Sequence, residues 1–206
     1  DIEKFNPNAK FKVNETKRII LSVGRLSPIK NYETLIEVAN ILVNYMDIKD
    51  LEFRIIGDIP FESQRGYLVF LKDMVKEFKL EDYLKFIGPV IYREIHNYYQ
   101  NCDLFISTSN TGSLDKSTLE AMACGKIVLT SNEAFSDLLK DYSHILLFDK
   151  NDVDSLVEKI IYILDMNAKD RDNLAGNLRG IVVKNHNLNG FVDKILTVIK
   201  DAIDSK

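Results

Sequence analysis

Residues that cross-link a chain or hold a metal are scarce in this sequence, which has two cysteines and three histidines in 206 residues. Cys102 and Cys124 stand beside apolar or small residues, so no disulfide framework is expected and a reducing compartment is favoured. His96, His144 and His186 have no cysteine or carboxylate at the spacing of metal ligands. We therefore expect no metal site.

The sequence also lacks the motifs of covalent catalysis. Cys124, next to Gly125, has no histidine placed to activate it and is interpreted as a packing residue. Ser117 and Thr118 belong to no G-x-S-x-G turn, which leaves a hydrolase triad without support.

Neither a large charge of one sign nor a long apolar run is present. The formal net charge of -4 argues against nucleic acid or an anionic membrane as the main partner, but it leaves room for a local basic cleft. No apolar run is long enough to span a bilayer and no signal peptide opens the chain, so a cytoplasmic location is expected. The opening "DIEKFNPNAKFK" has no initiator methionine and reads like part of a longer protein.

Hydrophobic residues, in contrast, make up 46% of the chain, which is enough for a sizeable core. Six short apolar runs are near-continuous rather than alternating, and most end in Gly, Ser or Thr, as is typical of buried parallel strands. These runs cover residues 18–23, 52–56, 84–88, 103–108, 126–131 and 144–148.

Amphipathic helical patterns lie between the runs, for example over residues 32–44 and 68–78. The alternation of strand and helix predicts a doubly wound α/β fold, with a six-stranded parallel sheet and helices on both faces. No repeat, low-complexity tract or linker interrupts the pattern. Residues 1–206 are therefore predicted to form a single domain.

Ligands of such sheets bind beyond the carboxyl ends of the strands, and phosphates favour helix N-termini. After the first run, "VGRLSPIKN" combines Gly24, which permits close approach, with the cations Arg25 and Lys30 on either side of Pro28. The planar guanidinium of Arg25 and the ammonium of Lys30 suit a diphosphate, which can be contacted at several oxygens. Two solvated charges on a turn are an equally good interpretation.

Two further loops of that edge carry weaker signals. Gly57 and Asp58 in "IIGDIP" are favourable turn residues, and a turn alone is the simpler interpretation. In "FIGPV", Pro89 and Val90 follow a glycine, an arrangement that can leave backbone groups free to contact a nucleotide base.

Glu120 is more informative because it lies in a helix of small and apolar residues, "LEAMACG", close to the sheet edge. A carboxylate there needs a partner. It can accept hydrogen bonds from two hydroxyls at once, so a ribose diol is a natural partner. A backbone donor or a lysine such as Lys30 is an equally good one.

Together these stretches resemble the C-terminal, donor-binding domain of a retaining glycosyltransferase of the GT-B fold, in the large family 4, or group 1, of these enzymes. The resemblance covers nearly the whole chain, and its value lies in five motifs that occur in order at the expected spacing. They are "DIEKFNP", "ILSVGRLSPIKNYETLIEVA", "FRIIGDIP", "FIGPVIYREIHNYYQNCDLFISTS" and "LEAMACGKIVLTSN".

The resemblance implies a Rossmann-like fold and assigns roles to residues. Arg25 and Lys30 would bind the donor's diphosphate and stabilise the leaving nucleotide without a metal or other cofactor. Glu120 would bind the ribose hydroxyls, and the loop 88–91 would lie along the base. The remaining donor-binding candidates are Gly24, Gly57, Asp58, Pro89, Val90, Gly112, Ser113, Leu114, Asp115 and Lys116.

One departure from the family pattern stands out. The family's E-x7-E motif has a first glutamate, which binds the donor sugar, eight positions before the second, and here that position is Gly112. Backbone N–H groups near 113–115 are expected to meet a phosphate or sugar oxygen at a helix N-terminus. Asp115 or Lys116 is the candidate to take over sugar recognition; alternatively, Asp115 is only a first-turn acid that the helix dipole favours.

The implied reaction is transfer of a sugar from a nucleotide-sugar to an acceptor hydroxyl with retention, in the synthesis of cell-surface polysaccharide or glycolipid. The acceptor domain would lie outside this chain. The chain alone is expected to bind nucleotide but to transfer little sugar. Its expected location is the cytoplasm, at the inner face of the membrane. The alternatives are a non-catalytic nucleotide-sugar-binding module, favoured by the missing first glutamate, and half of a GT-B sugar-nucleotide epimerase.

Overall fold

Five of the six apolar runs form one parallel sheet. The computed structural model describes residues 1–8 and 16–204, and the strand order in its sheet is β3-β2-β1-β4-β5. The strands are β1 (Arg18–Val23), β2 (Leu51–Ile56), β3 (Leu84–Gly88), β4 (Leu104–Ser107) and β5 (Val128–Thr130). All four residues of β4 and all three of β5 are buried, as expected of strands that are covered on both faces.

The prediction of a sixth strand is wrong. Within the run 144–148 the chain forms a single helical turn, Ser143–Leu146, in which the Leu147 amide donates to the Ser143 carbonyl over 3.0 Å. The run meets the sheet through an isolated parallel bridge between Leu147 and Thr130, in which the Phe148 amide donates to the Thr130 carbonyl at 3.3 Å. The run is apolar because Leu146 and Phe148 are buried, and a short buried run does not distinguish strand from helix.

Helices connect the strands and cover the sheet. They are α1 (Tyr32–Asn40, continued by a π-helical turn Ile41–Tyr45), α2 (Arg65–Glu77), α3 (Ile95–Asn101), α4 (Lys116–Ala123), α5 (Ser143–Leu146), α6 (Val153–Asp165), α7 (Ala168–Asn185) and α8 (Leu188–Asp204). α1 packs against α2 and α6, whereas α4 packs against α3 and α7. With right-handed crossovers these two groups lie on opposite faces of the sheet, as the sequence pattern predicts.

The strand order reverses between β1 and β4, so the loops that follow these two strands diverge at the carboxyl edge. Such a switch point leaves a crevice in an open α/β sheet. The loops after β1 and β4 are joined by a backbone hydrogen bond of 2.8 Å from the Asn110 amide to the Ile29 carbonyl.

A close backbone contact holds the first two loops of this edge together. A Cβ atom on Gly57 would lie 1.8 Å from the Gly24 carbonyl oxygen, and the φ angle of Gly57 is +153°. No side chain fits there, so the loops after β1 and β2 approach as closely as they do only because glycine occupies position 57.

No helix in the described part of the chain is long and apolar enough to cross a membrane.

Candidate functional site

A cleft of about 560 Å³ opens at the switch point. Ten of the residues that the sequence singles out line it, namely Gly24, Arg25, Lys30, Gly57, Asp58, Pro89, Val90, Asp115, Lys116 and Glu120. They come from the loops after β1, β2 and β3 and from α4 with the residue that precedes it. Segments far apart in the sequence therefore converge on one concave site, as expected for a ligand site of this fold.

Three predicted residues do not line the cleft. Gly112, Ser113 and Leu114 belong to the loop before α4, outside the cleft wall. A Cβ atom on Gly112 would meet no other atom within 4 Å, so position 112 faces open space. The Ser113 carbonyl accepts a hydrogen bond of 2.8 Å from the Asn132 side chain, which anchors the loop to the segment after β5.

The cation of the β1 loop is held inside the cleft wall. Lys30 ends a short 3-10 turn, Pro28–Lys30, that Pro28 favours through its fixed φ angle. The Lys30 Nζ atom lies 2.6 Å from Asp115 Oδ1 and 3.3 Å from Ser109 Oγ, and only 13% of the Lys30 side chain is exposed. Arg25, in contrast, is exposed at the rim.

Asp115 lies at the centre of a buried polar network and is 8% exposed. While its Oδ1 atom accepts from Lys30, its Oδ2 atom accepts from Ser107 Oγ at 3.0 Å and from Asn132 Nδ2 at 3.4 Å. It occupies the N-cap position of α4, yet its side chain makes no capping hydrogen bond. The carboxylate is thus turned away from the helix and toward Lys30.

Glu120 lies one turn further along α4, where 13% of its side chain is exposed. Its Oε2 atom accepts a 3.1 Å hydrogen bond from the Tyr99 hydroxyl, and Lys116 Nζ lies 3.6 Å from Oε1. Burial raises the pKa of the Glu120 carboxyl, and the hydrogen bond from Tyr99 and the charge of Lys116 partly oppose that rise. Oε1 is buried and, apart from the ion pair with Lys116, has no hydrogen-bond partner among the described residues, so its hydrogen-bonding capacity is not filled.

The partners of Glu120 differ from one alternative weighed in the sequence, which paired it with Lys30. The structure pairs Lys30 with Asp115 and gives Glu120 the hydroxyl of Tyr99. Burial, followed by the charge of Glu120, holds the pKa of Tyr99 well above its usual value, so its hydroxyl stays a donor.

Tyr92 and Tyr99 are cleft residues that sequence reasoning missed. Lys4 Nζ lies 3.3 Å from the centre of the Tyr92 ring, and Lys116 Nζ lies 4.6 Å from it. Phe5 packs edge-on against both tyrosines, with ring centres 5.8 and 5.9 Å apart. Both tyrosines lie in the "VIYREIHNYYQN" stretch, where their aromatic character predicts core packing as readily as a ligand wall.

Metal ligands and reactive thiols are not gathered at the cleft. No group of three or more His, Cys, Asp or Glu that could hold a metal ion occurs within residues 1–8 and 16–204. Cys102 and Cys124 are buried, and burial raises the pKa of each thiol to about 12, so both are protonated at neutral pH.

The cleft therefore offers two cations on one side and a desolvated carboxylate beside a hydroxyl donor on another. Arg25 and Lys30 can contact several oxygens of an anion such as a diphosphate. Glu120 can accept hydrogen bonds from a diol, and the apolar side chain of Val90 provides a surface for a planar ring.

Known proteins resemble this chain in sequence and in fold. A sequence profile of the family described as "Glycosyl transferases group 1" matches residues 3–180. UDP-Gal:alpha-D-GlcNAc-diphosphoundecaprenol alpha-1,3-galactosyltransferase of Escherichia coli is 27% identical over 215 residues, which cover 100% of this chain and 53% of that enzyme. The chain spans about a third to a half of the length of the curated relatives that it matches.

Solved structures show the same fold. Sucrose-phosphate synthase from Thermosynechococcus elongatus superposes with a TM-score of 0.86 at 21% identity, covering 100% of this chain and 51% of that one. Anabaena HepE, solved in complex with UDP and glucose, superposes with a TM-score of 0.80 at 20% identity, covering 90% of this chain and 48% of that one. The match of the family profile over residues 3–180 extends this likeness from fold to sequence, and the chain belongs to the glycosyl transferases group 1 family.

Proposed function

We propose that this chain is the donor-binding part of a glycosyltransferase that moves a sugar from a nucleotide-sugar to an acceptor hydroxyl with retention at the anomeric carbon. The observation that carries the proposal is the convergence of Arg25, Lys30 and Glu120 on one cleft at the switch point of the sheet. A nucleoside diphosphate presents a diphosphate and a ribose diol a few bonds apart, and the cleft presents cations and a carboxylate.

The reaction follows from charge stabilisation. As the bond between the anomeric carbon and the diphosphate breaks, the electron pair goes to the phosphate oxygen, where Arg25 and Lys30 stabilise the developing charge. The acceptor oxygen bonds to the same face of that carbon, and the departing phosphate oxygen takes up the acceptor's proton. No protein nucleophile takes part in this scheme.

Relatives support the donor class and a role in envelope glycans. The Escherichia coli relative uses, by its name, a UDP-linked galactose and an acceptor on a diphosphoundecaprenol lipid. HepE was solved with UDP and glucose. We therefore propose a UDP-sugar as the first donor to test, synthesis of polysaccharide or glycolipid as the role, and the cytoplasmic face of the membrane as the location.

A second candidate, a non-catalytic module with a degenerate donor cleft, is favoured by one specific observation. Gly112 stands where the family has its sugar-binding glutamate, and the space beside it is open. An epimerase half, the remaining alternative, would need acid and base groups of its own for which the cleft suggests no assignment.

Calorimetric titration with UDP-, GDP- and ADP-sugars tests the proposal. Binding of at least one of them, with an affinity that Arg25→Ala lowers, supports a donor site. A scaffold with a degenerate cleft would bind none, whereas a non-catalytic binding module would bind the nucleotide-sugar but transfer no sugar even in a protein that also carries an acceptor domain. Binding that Arg25→Ala leaves unchanged would place the nucleotide elsewhere. An epimerase would interconvert the bound nucleotide-sugar without an acceptor, which product analysis of the same mixture detects.

A further inference from the structure

The carboxylate of Asp115 binds Lys30, although its position at a helix N-terminus offers it another role. At the N-cap of α4 an aspartate usually accepts from a backbone amide of the first turn, which stabilises the helix. Asp115 makes no such bond. Its 2.6 Å contact with Lys30 Nζ is instead a charge-assisted hydrogen bond inside a wall of the cleft.

The surroundings hold both charges in place from behind. Ser107 and Asn132 donate to Asp115 Oδ2, and Ser109 Oγ accepts from Lys30 Nζ. The backbone of Lys30 is fixed as well, because its carbonyl accepts a 2.7 Å hydrogen bond from Thr108 Oγ1. Neither side chain is therefore positioned by the other alone.

The chemistry of a nucleotide-sugar places its sugar beside this pair. This inference rests on the function proposed above, in which Lys30 binds the diphosphate. The sugar of the donor is bonded directly to that diphosphate. A carboxylate in contact with Lys30 Nζ thus lies within reach of a hydroxyl of the sugar. An ammonium has three donors and a carboxylate about four acceptor sites, so each can keep its rear contacts while it exchanges its front one.

We propose that a bound nucleotide-sugar replaces the contact between Asp115 and Lys30, placing its diphosphate on Lys30 and a sugar hydroxyl on Asp115. Asp115 is then the residue that recognises the sugar, in place of the family's first glutamate, whose position is occupied here by Gly112. Lys116, the other candidate, is 74% exposed and contacts Glu120 and the ring of Tyr92.

The proposal makes opposite predictions for the nucleotide and for the sugar. Removal of the Asp115 charge frees Lys30 for the diphosphate, so a nucleoside diphosphate binds at least as tightly as before. The same change removes a hydrogen bond between a charged group and the sugar, which is worth about 10-fold or more in affinity. The ratio of the Kd of the nucleoside diphosphate to the Kd of its sugar form therefore falls.

Calorimetry on the full chain measures this ratio. UDP, GDP and ADP and their glucose, galactose or mannose forms are titrated into the unchanged protein, into Asp115→Asn and into Asp73→Asn, an exposed aspartate of α2 that serves as the matched control. We expect the ratio to fall by about 10-fold in Asp115→Asn alone. Asp115→Ser, whose small side chain leaves Lys30 its contact with Ser109, replaces Asp115→Asn if that variant does not fold.

Two results would overturn the inference in distinguishable ways. Parallel losses for nucleotide and nucleotide-sugar, with the ratio unchanged, would mean that Asp115 only positions Lys30, and the proposed function would stand. Failure of the unchanged protein to bind any nucleotide would overturn the proposed function itself.

Discussion

At the scale of single residues, the cleft combines charges that differ in how much they contribute to folding. Arg25 is exposed at the rim, whereas Lys30 and Asp115 form a buried pair with 13% and 8% of their side chains exposed. Loss of one member of a buried pair leaves the other charge uncompensated, which is far more costly than loss of an exposed charge. Binding and stability can therefore be separated by the choice of residue.

The first prediction concerns this separation. Lys30→Ala is expected to lower the free energy of unfolding by about 3 kcal/mol, because Asp115 is left buried without its cation. The double variant Lys30→Ala with Asp115→Ala should recover much of that loss. Arg25→Ala is expected to leave stability unchanged within about 0.5 kcal/mol. Urea unfolding of the four proteins measures these differences, and equal losses in Arg25→Ala and Lys30→Ala would contradict the assignment.

The second prediction concerns the pH dependence of Glu120. Burial raises the pKa of its carboxyl in the folded protein, so the folded state holds this proton more tightly than the unfolded state. The free energy of unfolding therefore falls as pH rises from the ordinary pKa of a glutamate through the raised value. Glu120→Gln removes the charge but keeps an acceptor for Tyr99, and it should be stabilising at pH 8 and nearly neutral at pH 4.

Thermal unfolding at both pH values measures this effect, with the exposed Glu77→Gln of α2 as the control. The same Glu120→Gln protein should bind UDP more weakly than the unchanged protein at pH 8, since an amide oxygen is a poorer acceptor for a diol than a carboxylate. A variant that is both less stable and unchanged in binding would show that Glu120 is a structural residue.

At the scale of elements, the geometry of the cleft depends on the close approach of the loops after β1 and β2. The third prediction is that Gly57→Ala costs about 3 kcal/mol or more, because the added Cβ would lie 1.8 Å from the Gly24 carbonyl oxygen and the backbone cannot yield locally. In α7, Gly176→Ala meets nothing within 4 Å and should be stabilising by about 0.5–1 kcal/mol. Chemical denaturation compares the two, and a mild effect at Gly57 would show that the loops are not in contact.

Element positions were predictable where burial and periodicity agree. β1 and β3 have the bounds that the apolar runs predict, and β3 ends at Gly88, whose φ angle is +84°. The run 144–148 was wrongly predicted to be a strand. Leu146 is buried although it belongs to a helical turn, and Phe148 is buried in the segment that follows that turn. Local composition reports burial, and in a run this short it does not report backbone conformation.

The membership of the cleft was predictable in the same way, but its pairings were not. Ten of the candidate residues line it, because the loops at the carboxyl edge of a parallel sheet must meet at the switch point. The contact between Lys30 and Asp115, 85 positions apart, depends on the exact distance between the loops after β1 and β4. Tyr92 and Tyr99 were missed because an aromatic residue on a helix or loop favours core packing as strongly as a ligand wall.

At the scale of the whole molecule, the chain belongs to the glycosyl transferases group 1 family, and it spans about half of the structures that share its fold. The fourth prediction is that this chain binds a nucleotide-sugar but transfers its sugar at less than about a hundredth of the rate of a protein that also carries an acceptor domain, because the acceptor is not oriented. A radiolabelled transfer assay compares the two proteins, and equal turnover would contradict the requirement for an acceptor domain.

If the cleft between the β1 and β4 loops binds the diphosphate and ribose of a nucleotide-sugar, the chain binds UDP through Arg25 and Glu120. Calorimetric titration of the unchanged chain, of Arg25→Ala and of Glu120→Gln with UDP measures this. We expect one UDP per chain and a loss of affinity of about 10-fold or more in each variant. Absence of binding for UDP, GDP and ADP alike, or binding that neither variant weakens, would contradict it.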